Sequence, residues 1–415
     1  MENRRPDYDI VVFGATGFVG RILCQYLMQQ IGVNGSVRWA ISGRSQNKLE
    51  RLVAELDAGE LPYIIANAMD DASLKALCDR TKVVISTVGP YALYGEPLVK
   101  ACAETGTDYC DLTGEPQWVR QMIARYGETA QISGAHIVHC CGFDSIPSDL
   151  GVYYLQQQAQ AKFGVVCDRI KMRVKNAKGG VSGGTAASGV NLVQEASGNA
   201  ELRQELENPY SLCLDVPNAE MLKPKEHPAT LVPVQYDSDF QGWVSPFVMA
   251  GINTRVVLRS NALQGYPYGP RFQYEEAMLT GPGVGGWVAA QGMSVALSGL
   301  AAATAFSPTR WLLEKTIIPK SGEGPSPAEQ EAGFYDVRFL GMTESGQTIE
   351  VKVTGDRDPG YGATAKMLGQ AGLCLAEDIA SADKPGGFWT PASIFGDALI
   401  ARLTSAAGMT FEVCE

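Results

Sequence analysis

The residues with the most specific chemical potential are three glycines near the start of the chain. Gly14, Gly17 and Gly20 are spaced as Gly-x-x-Gly-x-x-Gly. The first would allow a tight turn, the second would let the backbone approach a pyrophosphate, and the third would let a helix pack closely on a strand. The spacing therefore predicts a dinucleotide-binding loop, made of Gly14, Ala15, Thr16, Gly17, Phe18, Val19 and Gly20.

The residues on either side of this loop supply the context that such a site needs. Residues 10–13 are four consecutive apolar residues, which is typical of a buried parallel strand. Ile22, Leu23, Tyr26 and Leu27 then recur at helical spacing. A pyrophosphate would meet the free N–H groups and the dipole at the N-terminus of this helix. An ordinary strand-to-helix turn is the alternative, and the order strand, glycine turn, helix favours the nucleotide site.

A second group of residues indicates which dinucleotide is bound. An NAD site usually has an acidic residue after the second strand, but this chain has no acid there until Glu50. Arg44 could instead clamp a 2′-phosphate, with neighbouring hydroxyls and a lysine assisting. We therefore expect NADPH, although a solvated surface arginine is the alternative. The residues expected at this subsite are Ser42, Gly43, Arg44, Ser45 and Lys48.

Two further loops are expected near the nicotinamide. One follows the fourth predicted strand and the other follows the sixth; their cofactor-binding candidates are Thr87, Val88, Gly89, Pro90, Gly142, Phe143 and Asp144. Hydroxyl groups of Tyr91, Tyr94 and Ser145 are the catalytic candidates, as donors to a substrate oxygen. The alternatives are packing for the two tyrosines and helix capping for Asp144 or Ser145.

The composition excludes several other classes of protein. A net charge of −11 argues against general nucleic-acid binding, which needs clustered Lys and Arg. Three histidines and no Cys-x-x-Cys pair give no basis for a metal site. The polar residues 1–9 do not resemble a secretion signal. We therefore expect a cytoplasmic protein whose ten cysteines are reduced.

The elements that must position these residues form two regions. Strand and helix patterns alternate over residues 1–150, which predicts an α/β fold with a doubly wound parallel sheet of the Rossmann type. Residues 151–415 read as an α+β domain, with strands at 169–174 and 252–258 and an antiparallel pair at 334–339 and 348–353. A glycine-rich turn around residue 181 leads into a helix, and residues 358–376 are a second turn and helix.

One long segment carries no charge. Residues 277–309 contain no Asp, Glu, Lys or Arg, and the stretch 283–306 is rich in Gly, Ala and Ser. A transmembrane helix is disfavoured, because Ala and Gly insert weakly into a bilayer. A buried or dimer-interface helix pair is favoured, and a peripheral membrane or acyl-chain contact is the alternative.

Motifs along nearly the whole chain resemble the saccharopine dehydrogenase-like oxidoreductases, and are most similar to the branch that includes the bacterial trans-acting enoyl reductases. Gly-Pro-Tyr-x-x-Tyr-Gly at 89–95 and Cys-Gly-Phe-Asp-Ser-Ile-Pro-Ser-Asp at 141–149 carry much of this resemblance. The other matching segments are 14–20, 111–115, 182–185, 358–364, 390–392 and 407–413.

The resemblance implies an NADPH-dependent oxidoreductase that reduces a C=C (enoyl) bond in a lipid or polyketide-type substrate, which would be small or carrier-bound. It also implies that the second domain carries the substrate face and a homodimer interface, and that helices at about 358–405 pack back on the first domain. A saccharopine-type enzyme acting on an imine or semialdehyde is one alternative. It would need convergent arginines, for which Arg169, Arg173, Arg255, Arg259 and Arg271 are available, although most are expected on the exposed faces of strands. A non-catalytic NADPH-binding protein with a lipid or protein partner is the other alternative.

Overall fold

A seven-stranded parallel sheet carries the glycine loop. The computed structural model describes residues 6–179, 183–222, 227–305, 324–379 and 384–414. The spatial order of the strands is β3-β2-β1-β4-β5-β6-β13, and every neighbouring pair is parallel. The strands are Tyr8–Phe13 (β1), Trp39–Gly43 (β2), Tyr63–Ile65 (β3), Thr81–Ser86 (β4), Asp108–Asp111 (β5), His136–Val138 (β6) and Gly387–Trp389 (β13). The predicted α/β, doubly wound architecture is confirmed.

Helices connect these strands because each parallel crossover needs one. Ile10, Val11 and Val12 have no exposed surface, which is what a central strand covered on both faces requires. Several helices end in a left-handed glycine, such as Gly106 and Gly134. The helices of this region are Phe18–Ile31 (α1), Gln46–Glu55 (α2), Asp71–Cys78 (α3), Tyr91–Tyr94 (α4), Glu96–Thr105 (α5) and Pro116–Ser133 (α6).

A second seven-stranded sheet, of mixed direction, follows. Its strands are Arg169–Lys178 (β7), Gln235–Asp237 (β8), Gly242–Pro246 (β9), Gln273–Gly281 (β10), Phe334–Met342 (β11), Thr348–Gly355 (β12) and Met409–Val413 (β14). The spatial order is β14-β12-β11-β7-β10-β9-β8, and β7 with β10 is its parallel pair. The predicted antiparallel pair is present as β11 and β12, whose residues alternate between buried and partly exposed positions.

The remaining helices lie between and around the two sheets. They are Ile146–Phe163 (α7), Gly183–Gly198 (α8), Ala200–Glu207 (α9), Ala250–Leu263 (α10), Gly283–Ala305 (α11), Pro327–Glu331 (α12), Thr364–Glu377 (α13), Pro391–Ile394 (α14) and Gly396–Ala406 (α15). A 3₁₀ turn spans Ala219–Met221 and a π-helical turn spans Pro359–Ala363. Helix α13 packs on α1 and against β4 and β5. Helix α7 runs through residue 150, and the division into 1–150 and 151–415 stays a prediction.

Three features differ from the sequence-based expectation. Residues 252–258 are not a strand but the middle of α10, in which Ile252 through Ala262 are all buried. The sixth strand, predicted to span residues 136–141, ends at Val138, because Cys140 turns the chain with φ = 63°. Residues 283–305 form one helix instead of a buried pair, and only 11% of its apolar stretch is buried. Residues 180–182, which include part of the predicted glycine turn, and residue 306 lie outside the described residues.

Candidate functional site

The glycine loop turns the chain sharply between β1 and α1. The N–H groups of Gly14 and Ala15 both donate to the Ser42 carbonyl, at 3.0 and 3.1 Å, so the loop is fastened to the end of β2. Gly14 has φ = +86°, which favours glycine. A Cβ on Gly20 would lie 2.3 Å from the Gly14 carbonyl oxygen, so only glycine lets α1 approach the turn this closely. The roles predicted for Gly14 and Gly20 in the turn therefore have a direct steric basis.

The start of α1 is not closed by a side chain. Gly17 is the N-cap residue, no side chain caps the helix, and its first turn contains no acid. The N–H groups of that turn have no partner within the helix, which suits an anion. A Cβ on Gly14 would lie 2.6 Å from Val88 Cγ2, so the loop after β4 lies directly against the glycine turn. These features fit a bound pyrophosphate.

The end of β2 provides the second half of the nucleotide site. The Ser42 hydroxyl is fully buried and has no hydrogen-bond partner in the described chain. Arg44 and Lys48 are exposed, and neither forms an ion pair with any described residue. Ser45 starts α2 without capping it. Unpaired cations next to a free hydroxyl fit the 2′-phosphate of NADPH.

The nearest acid is turned away from this subsite. The Glu50 carboxylate accepts hydrogen bonds from Gln46 Nε2 (2.8 Å) and the Tyr63 hydroxyl (3.0 Å). A ribose-binding acid of the NAD type would have to lie at the end of β2, where Gly43 packs beside Thr16. The residues present therefore fit NADPH better than NADH.

The two tyrosines proposed as catalytic are placed differently. Tyr91 is buried, and its hydroxyl donates to the Ser86 carbonyl at 3.0 Å. Burial raises its pKa well above the usual value. Tyr94, three residues later on α4, is 42% exposed. Only Tyr91 therefore lies inside the protein, and its proton is already used in an internal hydrogen bond.

Glu115 organises the loop after β4, a role that the sequence did not indicate. Its carboxylate accepts from the backbone N–H groups of Tyr91 (2.8 Å) and Ala92 (3.0 Å), and from the Ser188 hydroxyl (2.8 Å). Burial raises its pKa. A carboxylate at the N-terminus of α4 fixes the short helix that follows Gly89 and Pro90.

A buried Asp–His pair lies at the ends of the next two strands. The Asp111 carboxylate contacts His139 Nδ1 at 2.7 Å and accepts from the Tyr109 hydroxyl at 3.0 Å. It also accepts from the backbone N–H groups of Thr113 and Cys140, both at 3.1 Å. The sequence signal that could have found this pair is that β5 and β6 are neighbours, which brings their carboxyl ends together.

The loop after β6 carries the last group of predicted residues. The N–H of Phe143 donates to Thr364 Oγ1 at 3.0 Å, which fastens this loop to α13. Asp144 lies between two glycines: a Cβ on Gly114 would be 3.4 Å from its Oδ1, and one on Gly142 would be 3.3 Å from its Oδ2. Burial raises the pKa of Asp144 to about 7, and the charge of Asp111 adds to the effect.

Helix capping by this loop does not occur through a side chain. Ser145 holds the N-cap position of α7, but its buried hydroxyl donates to Asn253 Oδ1 at 3.0 Å. No described side-chain group of Asp144 or Ser145 accepts from the first turn of α7. Capping as the role of either residue is therefore wrong. The loops after β1, β4, β5 and β6 meet at one edge of the sheet, where the remaining predicted site residues converge.

Comparisons with known proteins agree with this geometry. Residues 10–138 match the family described as "Saccharopine dehydrogenase NADP binding domain". A protein of Mycobacterium tuberculosis named as a putative trans-acting enoyl reductase is 40% identical over 98% of this chain and 97% of its own length. A Mycobacterium leprae protein named trans-acting enoyl reductase is 36% identical over 98% of each chain.

A solved structure shows the same fold at low sequence identity. The saccharopine dehydrogenase (L-Glu forming) of Saccharomyces cerevisiae aligns over 98% of this chain and all of its own, with a TM-score of 0.56 and 11% identity. The chain therefore belongs to the saccharopine dehydrogenase-like oxidoreductases, in the branch of the trans-acting enoyl reductases, and it is an NADPH-dependent enzyme.

Proposed function

We propose that this protein reduces the C=C bond of an enoyl thioester in a lipid or polyketide-type chain held on a separate carrier. The observation that carries the proposal is full-length similarity, at 36–40% identity, to relatives named trans-acting enoyl reductase. Similarity over 98% of the chain includes both sheets, so it covers the substrate side as well as the nucleotide loop.

The parts of the site have separate tasks in this reaction. Bound NADPH supplies a hydride, which the β-carbon of the enoyl group accepts. The open N-terminus of α1 holds the pyrophosphate, and the exposed Arg44 with the partly exposed Ser45 holds the 2′-phosphate. The loop of Thr87, Val88, Gly89 and Pro90 sets the position of the nicotinamide, since Glu115 fixes the helix behind it. Gly17 lets the backbone of the glycine loop approach the pyrophosphate.

The saccharopine-type alternative is disfavoured by what the arginines bind. Three of the five candidates are buried, contrary to the expectation that most are exposed. Arg173 binds Asp237, with Nε 2.8 Å from Oδ2. Arg255 Nε donates to Ser211 Oγ at 2.9 Å, and Arg259 binds Asp215 and the Phe388 carbonyl. These guanidinium groups hold the second region together, which leaves the exposed Arg169 and Arg271 for a substrate with several carboxylates.

The test is NADPH oxidation by the purified protein. We expect oxidation with a trans-2-octenoyl thioester of N-acetylcysteamine, and a product that has gained two hydrogens by mass spectrometry. A mixture of an amino-acid semialdehyde and an amine should give no oxidation. Oxidation with the second mixture alone would refute the proposal in favour of the imine reductase. Tight NADPH binding without oxidation of either would favour the non-catalytic alternative.

We further propose that the protein is a cytoplasmic homodimer that pairs through α11. This helix is uncharged and long and apolar enough to cross a membrane by length and composition, yet it lies along β9, β10 and α8 of its own chain. Val284, Val288 and Val295 are more than half exposed, and small residues between them would permit close helix contact. Sedimentation should give a dimer, and Val288→Glu should give a monomer. Flotation of the wild type with phosphatidylcholine vesicles would instead support the lipid contact.

A further inference from the structure

The carboxyl group of Asp144 lies at the edge of the first sheet where the predicted site residues converge. Asp144 follows β6 and precedes α7, and its two oxygens lie against the backbone of Gly114 and Gly142. No side chain in the described ranges donates a hydrogen bond to it. Its own backbone N–H is the donor that it meets, and the residue is partly exposed.

The two glycines are what make room for this carboxyl group. A Cβ at Gly142 would lie 3.0 Å from Thr364 Cγ2 and 3.3 Å from Asp144 Oδ2. A Cβ at Gly114 would be 3.4 Å from Asp144 Oδ1 and from Met249 Cε. The Cβ at Gly142 would crowd the carboxyl group, and the Cβ at Gly114 would be in van der Waals contact with it. Glycine at both positions therefore leaves space beside the two carboxyl oxygens.

The other acidic groups with similarly raised pKa values are committed elsewhere. Asp149 accepts from Ser260 Oγ (2.6 Å) and from the N–H of Ala392 (2.7 Å), and it is 1% exposed. Glu276 accepts from the Tyr274 hydroxyl (2.6 Å) and from Asn253 Nδ2 (2.9 Å), and it has no exposed surface. Burial raises the pKa of each to about 7. Neither can reach a substrate.

Two of the three hydroxyl candidates are committed as well, and the third, Tyr94, is exposed on α4. Tyr91 donates its proton to the Ser86 carbonyl, and Ser145 donates its proton to Asn253. Giving either proton to a substrate would leave a buried acceptor without its donor, which costs about 1–3 kcal/mol. Proton donation by Asp144 would leave no buried acceptor without its donor, because no internal acceptor in the described chain takes its proton.

We propose that Asp144 is the proton donor of the reduction, an assignment that rests on the proposed enoyl reduction. Hydride from NADPH forms the new C–H bond at the β-carbon and the C=C electron pair moves to the α-carbon, as an enolate. The Asp144 O–H bond then breaks, and its proton forms the C–H bond at the α-carbon. The carboxylate afterwards regains a proton from solvent water. NADPH is oxidised and the enoyl group is reduced, so electrons and protons balance.

The charged surroundings favour the protonated form of the donor. Asp111 on β5 raises the pKa of Asp144, and Asp144 in turn raises those of Tyr91 on α4 and Cys140 after β6. Burial is the main cause, and it brings the pKa of Asp144 to about 7. A general acid with a pKa near the working pH transfers its proton efficiently. The acid form dominates below about pH 7, so turnover should fall as the pH rises above that value.

The experiment compares the wild type with Asp144→Asn, using NADPH and trans-2-octenoyl N-acetylcysteamine thioester. We expect the variant to lose turnover by about 10²- to 10⁴-fold, the usual contribution of a general acid. NADPH affinity should change little, and the fall in turnover above neutral pH should disappear. In D₂O the wild type should place deuterium on one face of the α-carbon, and the variant should place it on both faces, because water then supplies the proton.

Asp149→Asn is the matched control, because it removes an acid of similar pKa that is buried in the protein. It should melt at a lower temperature but keep the pH dependence and the one-sided deuteration. Unchanged turnover and pH dependence in a folded Asp144→Asn would overturn the assignment. Loss of NADPH binding in that variant would overturn it too, since Asp144 would then bind cofactor. A wild type that does not oxidise NADPH with this thioester would reject the enoyl reduction itself.

Discussion

Replacing Arg44 with alanine should weaken NADPH binding and leave NADH binding unchanged. Arg44 directly follows β2, is exposed, and forms no ion pair with a described residue. Its removal therefore breaks no internal contact in that part of the chain, and the melting temperature should stay the same. The lost interaction is the one with the 2′-phosphate, which NADH lacks.

The size of the effect follows from the kind of contact. A hydrogen bond to a charged group contributes about 1.5–3 kcal/mol, and each 1.4 kcal/mol is about tenfold in affinity. Because Arg44 is exposed, solvent weakens the pairing and the lower half of this range applies. We expect NADPH affinity to fall by about 10- to 40-fold, and this difference between the wild type and the variant should shrink as salt is raised.

The assay is fluorescence titration of both cofactors into the wild type, Arg44→Ala and Arg51→Ala. Arg51 is the matched control, because it is also exposed and lies further along α2, seven residues from Arg44. It should leave both affinities unchanged. Equal losses for NADPH and NADH in Arg44→Ala, or equal effects of the two variants on NADPH, would refute the assignment of the 2′-phosphate subsite.

Three more predictions concern stability. Gly20→Ala should destabilise the fold by about 3 kcal/mol or more in urea unfolding, because its Cβ would lie 2.3 Å from a backbone oxygen. Gly189→Ala in α8 is the control: its Cβ would have no atom within 4 Å, so the change should be neutral or stabilising. Raised pKa values of Asp149 and Glu276, about 7 in the fold against about 4 unfolded, mean that the folded state binds more protons between those values. The free energy of unfolding should therefore fall as the pH rises from about 4 to 7, and a flat profile in urea titrations would contradict this. Glu115→Gln should lower the melting temperature, since its amide cannot accept from both backbone N–H groups at the start of α4; a stability equal to that of the wild type would exclude this role.

The cofactor sheet could be predicted from sequence because its signals are local. Most of its strands contain a short apolar run, such as residues 10–13 and 83–85, and such runs fit strands covered on both faces. Strand β5 reads Asp-Tyr-Cys-Asp and lacks such a run. The same reasoning is wrong at residues 252–258. Helix α10 is buried on every side, and its polar residues, such as Asn253 and Thr254, are buried with the apolar ones, so no separate polar face marks it as a helix. Arg255 and Arg259, four residues apart, were the helical signal in that segment.

The contacts that complete the site could not be read from spacing along the chain. Phe143 binds Thr364, 221 residues away, and Ser188 reaches Glu115 across 73 residues. The position of Asp144 after a strand predicts that it lies beside the cofactor. The space around its carboxyl group depends on where Gly114 and Gly142 lie, which the sequence does not show. Burial, which sets the protonation of these acids, is a property of the packed structure and not of the local sequence.

The C-terminal segment contributes to both parts of the molecule. Strand β13 adds to β6 in parallel, so residues that follow the second sheet's β12 complete the edge of the first sheet. Helix α13 packs on α1, and Ala392 at the start of α14 donates to the buried Asp149 on α7. Helix α7 also packs on β11 and β12 of the second sheet, so the hydrogen bond from Ala392 ties the C-terminal segment to a helix that lies against that sheet.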